Sequence, residues 1–152
     1  MYKYVILFLV LNFGALAIAS LFTGNGVASD WYQNLNKAPW TPPGWMFGLA
    51  WTTIMICFAL YMTHALNLVE VPRTLIILFA MQWLLNSLWS PVFFYYHQVL
   101  WGLLILIALT GIVTYFLFNY GHNLGIKSIW ILPYFLWLIV ATSLNLYTYL
   151  YN

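Results

Sequence analysis

From Thr74 to Ile126 the chain runs for 53 residues without one Asp, Glu, Lys or Arg. No water-soluble fold is ordinarily built from such a stretch. Soluble domains draw about a quarter of their residues from the charged types, whereas here the share is 4% of 152 residues. The six charges, Lys3, Asp30, Lys37, Glu70, Arg73 and Lys127, separate apolar runs and mark their water-facing ends. The solvent these runs imply is a lipid bilayer.

A hydrocarbon core about 30 Å thick takes roughly 20 residues of helix at 1.5 Å each. The uncharged run is therefore too long for one span and suits two. Its most polar point, Tyr95-Tyr96-His97-Gln98, follows Pro91 and is flanked by aromatic residues of the kind that gather at a membrane interface. Breaking there, and at the charges elsewhere, predicts spans near 4–22, 45–68, 74–95, 99–120 and 129–150. The expected fold is an all-α integral membrane protein, a five-transmembrane-helix bundle forming a single domain over 1–152. A closed barrel is the other way to span lipid, but its strands would read as short alternating segments and these do not.

With five spans, Lys3, Arg73 and Lys127 share one side and Lys37 lies alone on the other. Counting basic residues by the positive-inside rule puts the N-terminus inside and the C-terminus outside. The expected location is a bacterial cell membrane, with an outer membrane as the alternative. The first apolar run, with Ala15-Leu16-Ala17-Ile18-Ala19, also has features of a cleaved signal peptide. It runs on to Phe22, longer than the usual apolar region of such peptides, and is read as a span. Cys57 is the only cysteine, which excludes an intrachain disulfide and a thiolate metal cluster.

One connection stands out by length: residues 23–43, containing Trp31, Tyr32, Pro39, Trp40, Pro42 and Pro43. A long connection in a compact bundle is usually functional or disordered. Its aromatic side chains need a surface to pack on and its prolines stiffen the approach to the second span, so an ordered loop is expected. Pro42 and Pro43 suit the first turn of that span. Composition supports two arrangements equally: a lid over one mouth of the bundle, or a belt among the headgroups.

In the third span Gln82, Asn86, Trp89, Ser90 and Phe93 recur at spacings of three and four, forming one helical stripe. An amide facing lipid would leave its hydrogen-bonding groups unpaired, so the stripe is expected to face protein, water or a ligand. Pro133, Trp137, Ala141, Asn145 and Thr148 repeat the pattern in the fifth span, and Trp51, Met55 and Phe58 share a face of the second. Such amides serve as glue between helices in ordinary bundles. Beside Trp51, Trp89 and Trp137 they also describe a pocket with flat apolar walls and a few orienting polar groups.

No charged residue falls within a span, which weighs against ion pumps and voltage sensors. His64, His97 and His122 lie near span ends. Of these, His97 continues the third-span stripe and is a weak candidate for ligating haem iron. Catalytic triads, metal-ligand spacings and phosphate-binding glycine loops are absent from the sequence, and no basic patch suggests nucleic acid.

Three motifs resemble a known family. They are Trp-Thr-Pro-Pro-Gly-Trp at Trp40–Trp45 followed by Trp51; Gln82-x3-Asn86-x2-Trp89-x3-Phe93-Phe94; and Pro133-Tyr134-x2-Trp137-x3-Ala141-x2-Leu144-Asn145. Together they resemble the TspO/MBR family, the tryptophan-rich sensory proteins that include the mitochondrial translocator protein. The resemblance implies a five-helix bundle, commonly a homodimer, with a pocket beneath the loop joining the first two helices. It implies porphyrins such as protoporphyrin IX and haem as ligands, taken up as guests without a required cofactor. By motif position the pocket would be formed by Tyr32, Trp40, Pro42, Trp51, Gln82, Asn86, Trp89, Ser90, Phe93, Trp137, Ala141 and Leu144. In some bacterial members the tryptophans matching Trp51 and Trp137 are implicated in light- and oxygen-dependent porphyrin degradation.

The family's usual Lys-Pro-x-Trp is here Lys37-Ala38-Pro39-Trp40, which moves a proline by one and bears on the path of the loop. The basic residue of a proposed sterol motif is missing from Tyr147–Asn152, so sterol recognition of that type is not expected. The third span has no small-xxx-small pair, and Ala15 and Ala19, or Gly102, Ala108 and Gly111, offer other surfaces for self-association.

Overall fold

The computed structural model describes residues 2–68 and 73–152, and every regular element in them is helical. Glu70 and the rest of the expected 69–72 connection lie outside the described residues. Helix α1 spans Tyr2–Val27, α2 is a single turn at Asp30–Gln33, α3 spans Gly44–Leu68 and α4 spans Arg73–Ser90. A π-helical turn, Pro91–Tyr95, extends α4. Helix α5 follows at Val99–Tyr115 with its own π-helical end at Phe116–Tyr120, then the short α6 at Gly121–Leu124, a 3-10 segment at Gly125–Ile131 and α7 at Leu132–Tyr151.

Among the described residues four helical runs are long and apolar enough to cross a membrane: Tyr2–Val27, Gly44–Leu68, Arg73–Tyr95 and the 53-residue run Val99–Tyr151. The last run reverses at Gly125, whose φ of 55° is open to glycine and strained for most other residues. Its halves lie side by side: the Thr110 and Thr142 hydroxyls are 3.4 Å apart, and the Asn145 amide donates to the Val99 carbonyl.

The helices close a ring. Helix α1 packs on α3 and α4, α4 on α5, α5 on α7, and α7 returns to α3. Inside the ring Phe58 is fully buried, with Tyr134 edge-on at 5.2 Å and Phe79 stacked at 6.0 Å. The Tyr61 hydroxyl donates to the Phe116 carbonyl at 2.6 Å. Outward positions carry Ile6, Val10, Leu49, Ile76, Leu84, Ile107, Phe118 and Leu136, all exposed, as a lipid-facing surface requires.

Several expected boundaries move. Helix α1 continues through 23–27, which the sequence assigned to the loop. Thr23 bonds its hydroxyl to the Ala19 carbonyl, and Gly26 is buried against Phe94, so tertiary packing overrides the poor helix propensity of Gly24-Asn25-Gly26. The connection to α3 is thus 28–43, with α2 inside it. Pro42 and Pro43 precede the first turn of α3, where the Pro43 carbonyl accepts from the Met46 N–H at 2.9 Å. The fifth predicted span begins α-helically at Leu132 after a 3-10 approach, with Pro133 in its first turn.

Candidate functional site

The third-span stripe faces protein, as the cost of an amide in lipid demands. Gln82, Asn86, Ser90 and Phe93 are all buried, Gln82 to 2% exposure, and Trp89 is half-buried. Gln82 donates through Nε2 to the Tyr134 hydroxyl at 2.7 Å. Its Oε1, equally buried, has no partner among the described residues. Leaving such an acceptor unmatched costs about 1–3 kcal/mol. The Trp51 indole stands edge-on to Tyr134 at 6.2 Å, so an aromatic wall adjoins this amide.

Two turns further along α4, Trp89 donates through Nε1 to Asn145 Oδ1 at 3.2 Å. Asn145 donates its own NH2 to the Val99 carbonyl at 3.0 Å, in the first turn of α5. The Ser90 hydroxyl lies 3.0 Å from that of Thr23 on α1. These contacts tie α1, α4, α5 and α7 at one end of the ring.

That end is closed by aromatic residues. Pro91 lacks the N–H that would continue the α-helical ladder, and the π turn that follows widens the helix so that consecutive residues Phe93 and Phe94 both point inward. Phe93 stacks on Trp89 at 5.3 Å, and Tyr32 lies 5.3 Å from Phe94. Burial pushes the Tyr32 phenol above its ordinary pKa, so it stays neutral. His97 does not continue the stripe. The helix has ended, its φ is 55°, and its exposed ring stacks on Trp31 at 4.1 Å. No group of three or more His, Cys, Asp or Glu side chains among the described residues is placed to hold a metal.

The remaining expected residues lie toward α3 and α7. Trp137 lines a groove of about 330 Å³ between these helices with Met46, Ala50, Thr53, Pro133 and Val140. Phe47 stands edge-on to it at 5.3 Å. Of the expected set, only Trp137 lines this groove. Ala141, Leu144 and Pro42 are half-buried, and Trp40 is exposed with its Nε1 donating to Ser143 at 3.1 Å. The structure therefore divides the set into the buried Gln82–Phe93 stripe with Tyr32, the Trp51–Tyr134 contact, and the α7 flank with Trp40 and Trp137.

Sequence reasoning left out of the site Tyr134, Asn145, Phe94 and Trp31, all of which the structure joins to it. It also missed Asn12, buried to 2% with its amide on the Met55 carbonyl at 3.0 Å. A lone amide in the first apolar run was the available signal. Chemically, the cluster can stack on a flat apolar molecule and hydrogen-bond to it.

An all-helical bundle of lipid-facing runs, with amides and indoles directed inward and no charge among them, defines a multi-span membrane protein. The family is settled by sequence comparison: the TspO/MBR family model matches residues 5–150, and the chain belongs to that family. It is 32% identical over 138 residues to the tryptophan-rich sensory protein of Cereibacter sphaeroides, covering 90% of this chain and 87% of the relative. It is 35% identical over 136 residues to the tryptophan-rich protein TspO of Archaeoglobus fulgidus, covering 88% and 86%. Human translocator protein is 27% identical over 125 residues, covering 80% and 74%.

Proposed function

We propose that this protein is a membrane receptor for porphyrins, protoporphyrin IX and haem among them, and for similar flat hydrophobic ligands. The ligand lies between α3, α4 and α7 beneath the 28–43 segment, which acts as a lid. The observation that carries the reading is the unpartnered Gln82 Oε1, a buried acceptor held by Tyr134 beside the Trp51 indole. A polar group kept dry without a partner suits a site whose partner arrives with the ligand. If haem is bound, His97 is the histidine at the lid end, and ligation requires parting it from Trp31.

The lid reading goes with five membrane crossings. Asn36 is hydrogen-bonded to Asn152, so both lie on one side of the membrane. An even number of crossings must separate them, and α3, α4, α5 and α7 supply four; α1 makes five. The distribution of Lys3, Arg73 and Lys127 against Lys37 supports a lid outside and an N-terminus inside. A bacterial cell membrane and a homodimer complete the proposal.

Trp51 and Trp137 give the site a further capacity. In light the macrocycle can be oxidised by oxygen, with an electron-rich indole beside it relaying the electron and being reduced again by the porphyrin, so slow porphyrin photodegradation, in which the porphyrin is oxidised and oxygen reduced, falls within this reading. Titrating protoporphyrin IX into purified protein should quench Trp fluorescence saturably, and unsaturable quenching would remove the receptor. Under illumination the Trp51→Phe, Trp137→Phe double variant should retain binding and lose turnover; equal porphyrin loss would remove the enzymatic part alone. The groove between α3 and α7 favours a second reading, transport of tetrapyrroles or other small hydrophobic solutes, which liposome flux in the dark would reveal.

A further inference from the structure

The segment 28–43 is held in two chemically different ways. On the α4 side its grip is apolar: Trp31 stands edge-on to Phe93 at 5.5 Å and stacks on His97, and Tyr32 packs on Phe93 and Phe94. Gln33 adds a bond from its side-chain amide to the Val27 carbonyl at 2.8 Å, tying α2 to the end of α1. On the α7 side the grip is a set of exposed, neutral hydrogen bonds. The Asn36 N–H donates to Asn152 Oδ1 at 2.7 Å, Asn152 Nδ2 returns a bond to the Asn36 carbonyl at 3.2 Å, and Asn36 Nδ2 donates to the Tyr151 carbonyl at 3.2 Å. Four residues on, Trp40 donates to Ser143 and lies edge-on to Tyr147 at 5.5 Å.

We propose that this segment is a gate hinged at α2, and that the Asn36–Asn152 and Trp40–Ser143 contacts are the latch that releases its α7 side. The inference rests on the receptor reading for what passes the gate, though the latch itself does not.

The two sides differ in how easily they part. Asn36, Asn152 and Trp40 are exposed, so water replaces each lost bond, and one such bond shifts an opening equilibrium by about fivefold. Parting the α4 side would instead expose Phe93 and Phe94, both buried, together with the half-buried Trp31 and Tyr32. Opening is therefore local and one-sided. Ser143 is three residues beyond Val140 on α7, and Val140 lines the groove that contains Trp137. Releasing Trp40 therefore frees the α7 surface one turn beyond that groove. Because none of the latching groups is charged, opening should be insensitive to ionic strength.

The test has one arm without ligand and one with it, both on the full chain in lipid nanodiscs. Hydrogen exchange for amides of 35–41 should rise about fivefold in Trp40→Phe, which keeps a ring but loses the N–H, and about 25-fold in Asn152→Ala, which loses both bonds to Asn36, while 30–33 stay unchanged. Equal rises in both stretches, or none, would overturn the latch. In stopped flow with protoporphyrin IX, Asn152→Ala should speed association and dissociation by a common factor and leave affinity unaltered. Faster exchange with unchanged binding rates would overturn the gating role. If the unaltered protein binds no porphyrin, the receptor reading falls, and the exchange experiment still decides the latch.

Discussion

Gly26 and Gly111 both lie within helices, and their surroundings separate them. A Cβ at Gly26 would fall on the Phe94 ring, while one at Gly111 meets nothing within 4 Å. Overpacking of this kind costs about 1–3 kcal/mol, whereas alanine in an open helical position gains roughly 0.5–1 kcal/mol over glycine. Gly26→Ala should therefore lower the thermal midpoint of the purified protein and Gly111→Ala should hold or raise it; a neutral Gly26→Ala would contradict the close approach of α1 to the π turn. The same contrast marks what was legible at this scale. Burial of Gln82, Asn86 and Ser90 followed from spacing and from the cost of an amide in lipid. Their partners did not, because the Tyr134 hydroxyl and the Thr23 side chain come from helices far away in sequence. Asn145 was visible as a buried amide, but not as the acceptor for Trp89.

At the scale of elements, apolar runs between charges announced the helices and missed their ends. Helix α1 outlasts its apolar run because Gly26 finds Phe94, a contact no local pattern contains. The π turn at Pro91–Tyr95 escaped for a related reason: the proline announced a disturbance, but whether it becomes a kink, a stop or a widened turn depends on what Phe93 and Phe94 then meet. Their inward packing predicts a specific consequence. With Pro91→Ala the missing N–H returns, α-helical bonding can continue, and residues beyond it rotate relative to α4, so Phe93 and Phe94 no longer both face Trp31 and Tyr32. Hydrogen exchange in α2 should rise and Trp fluorescence should shift to the red as Trp31 gains water. Unchanged α2 protection would mean that packing, not the proline, dictates the π turn. Asn145 gives a companion case. Replacing it with Leu strands the Trp89 N–H and removes the amide bond to the Val99 carbonyl, and in a bilayer such interhelical bonds are worth about 0.6–2 kcal/mol each. A correspondingly lower thermal midpoint is expected, without loss of helix by circular dichroism.

For the whole molecule, the decisive relation is between the two ends of the long helical run and the 28–43 segment. Gly121 and Ser128 meet at the reversal, where the Ser128 hydroxyl donates to the Gly121 carbonyl at 2.9 Å, while Asn36 and Asn152 meet at the other end of the bundle. The sequence divides the run at its one charge, Lys127, and the structure puts the turn two residues earlier. Gly125, free to take positive φ, makes the turn tight enough for α7 to return along α5. Asn36 and Asn152, in contact, lie at one end of the bundle, and the proposed five crossings put both on one side of the membrane. Single cysteines test this directly. In a Cys57→Ala background, Asn34→Cys and Tyr151→Cys should react with a membrane-impermeant maleimide on intact cells, and Asn123→Cys only after lysis. Labelling of 123 together with 34 would mean that α5 and α7 do not each cross. Labelling of 123 alone would keep five crossings and invert the protein, putting the lid on the inner side.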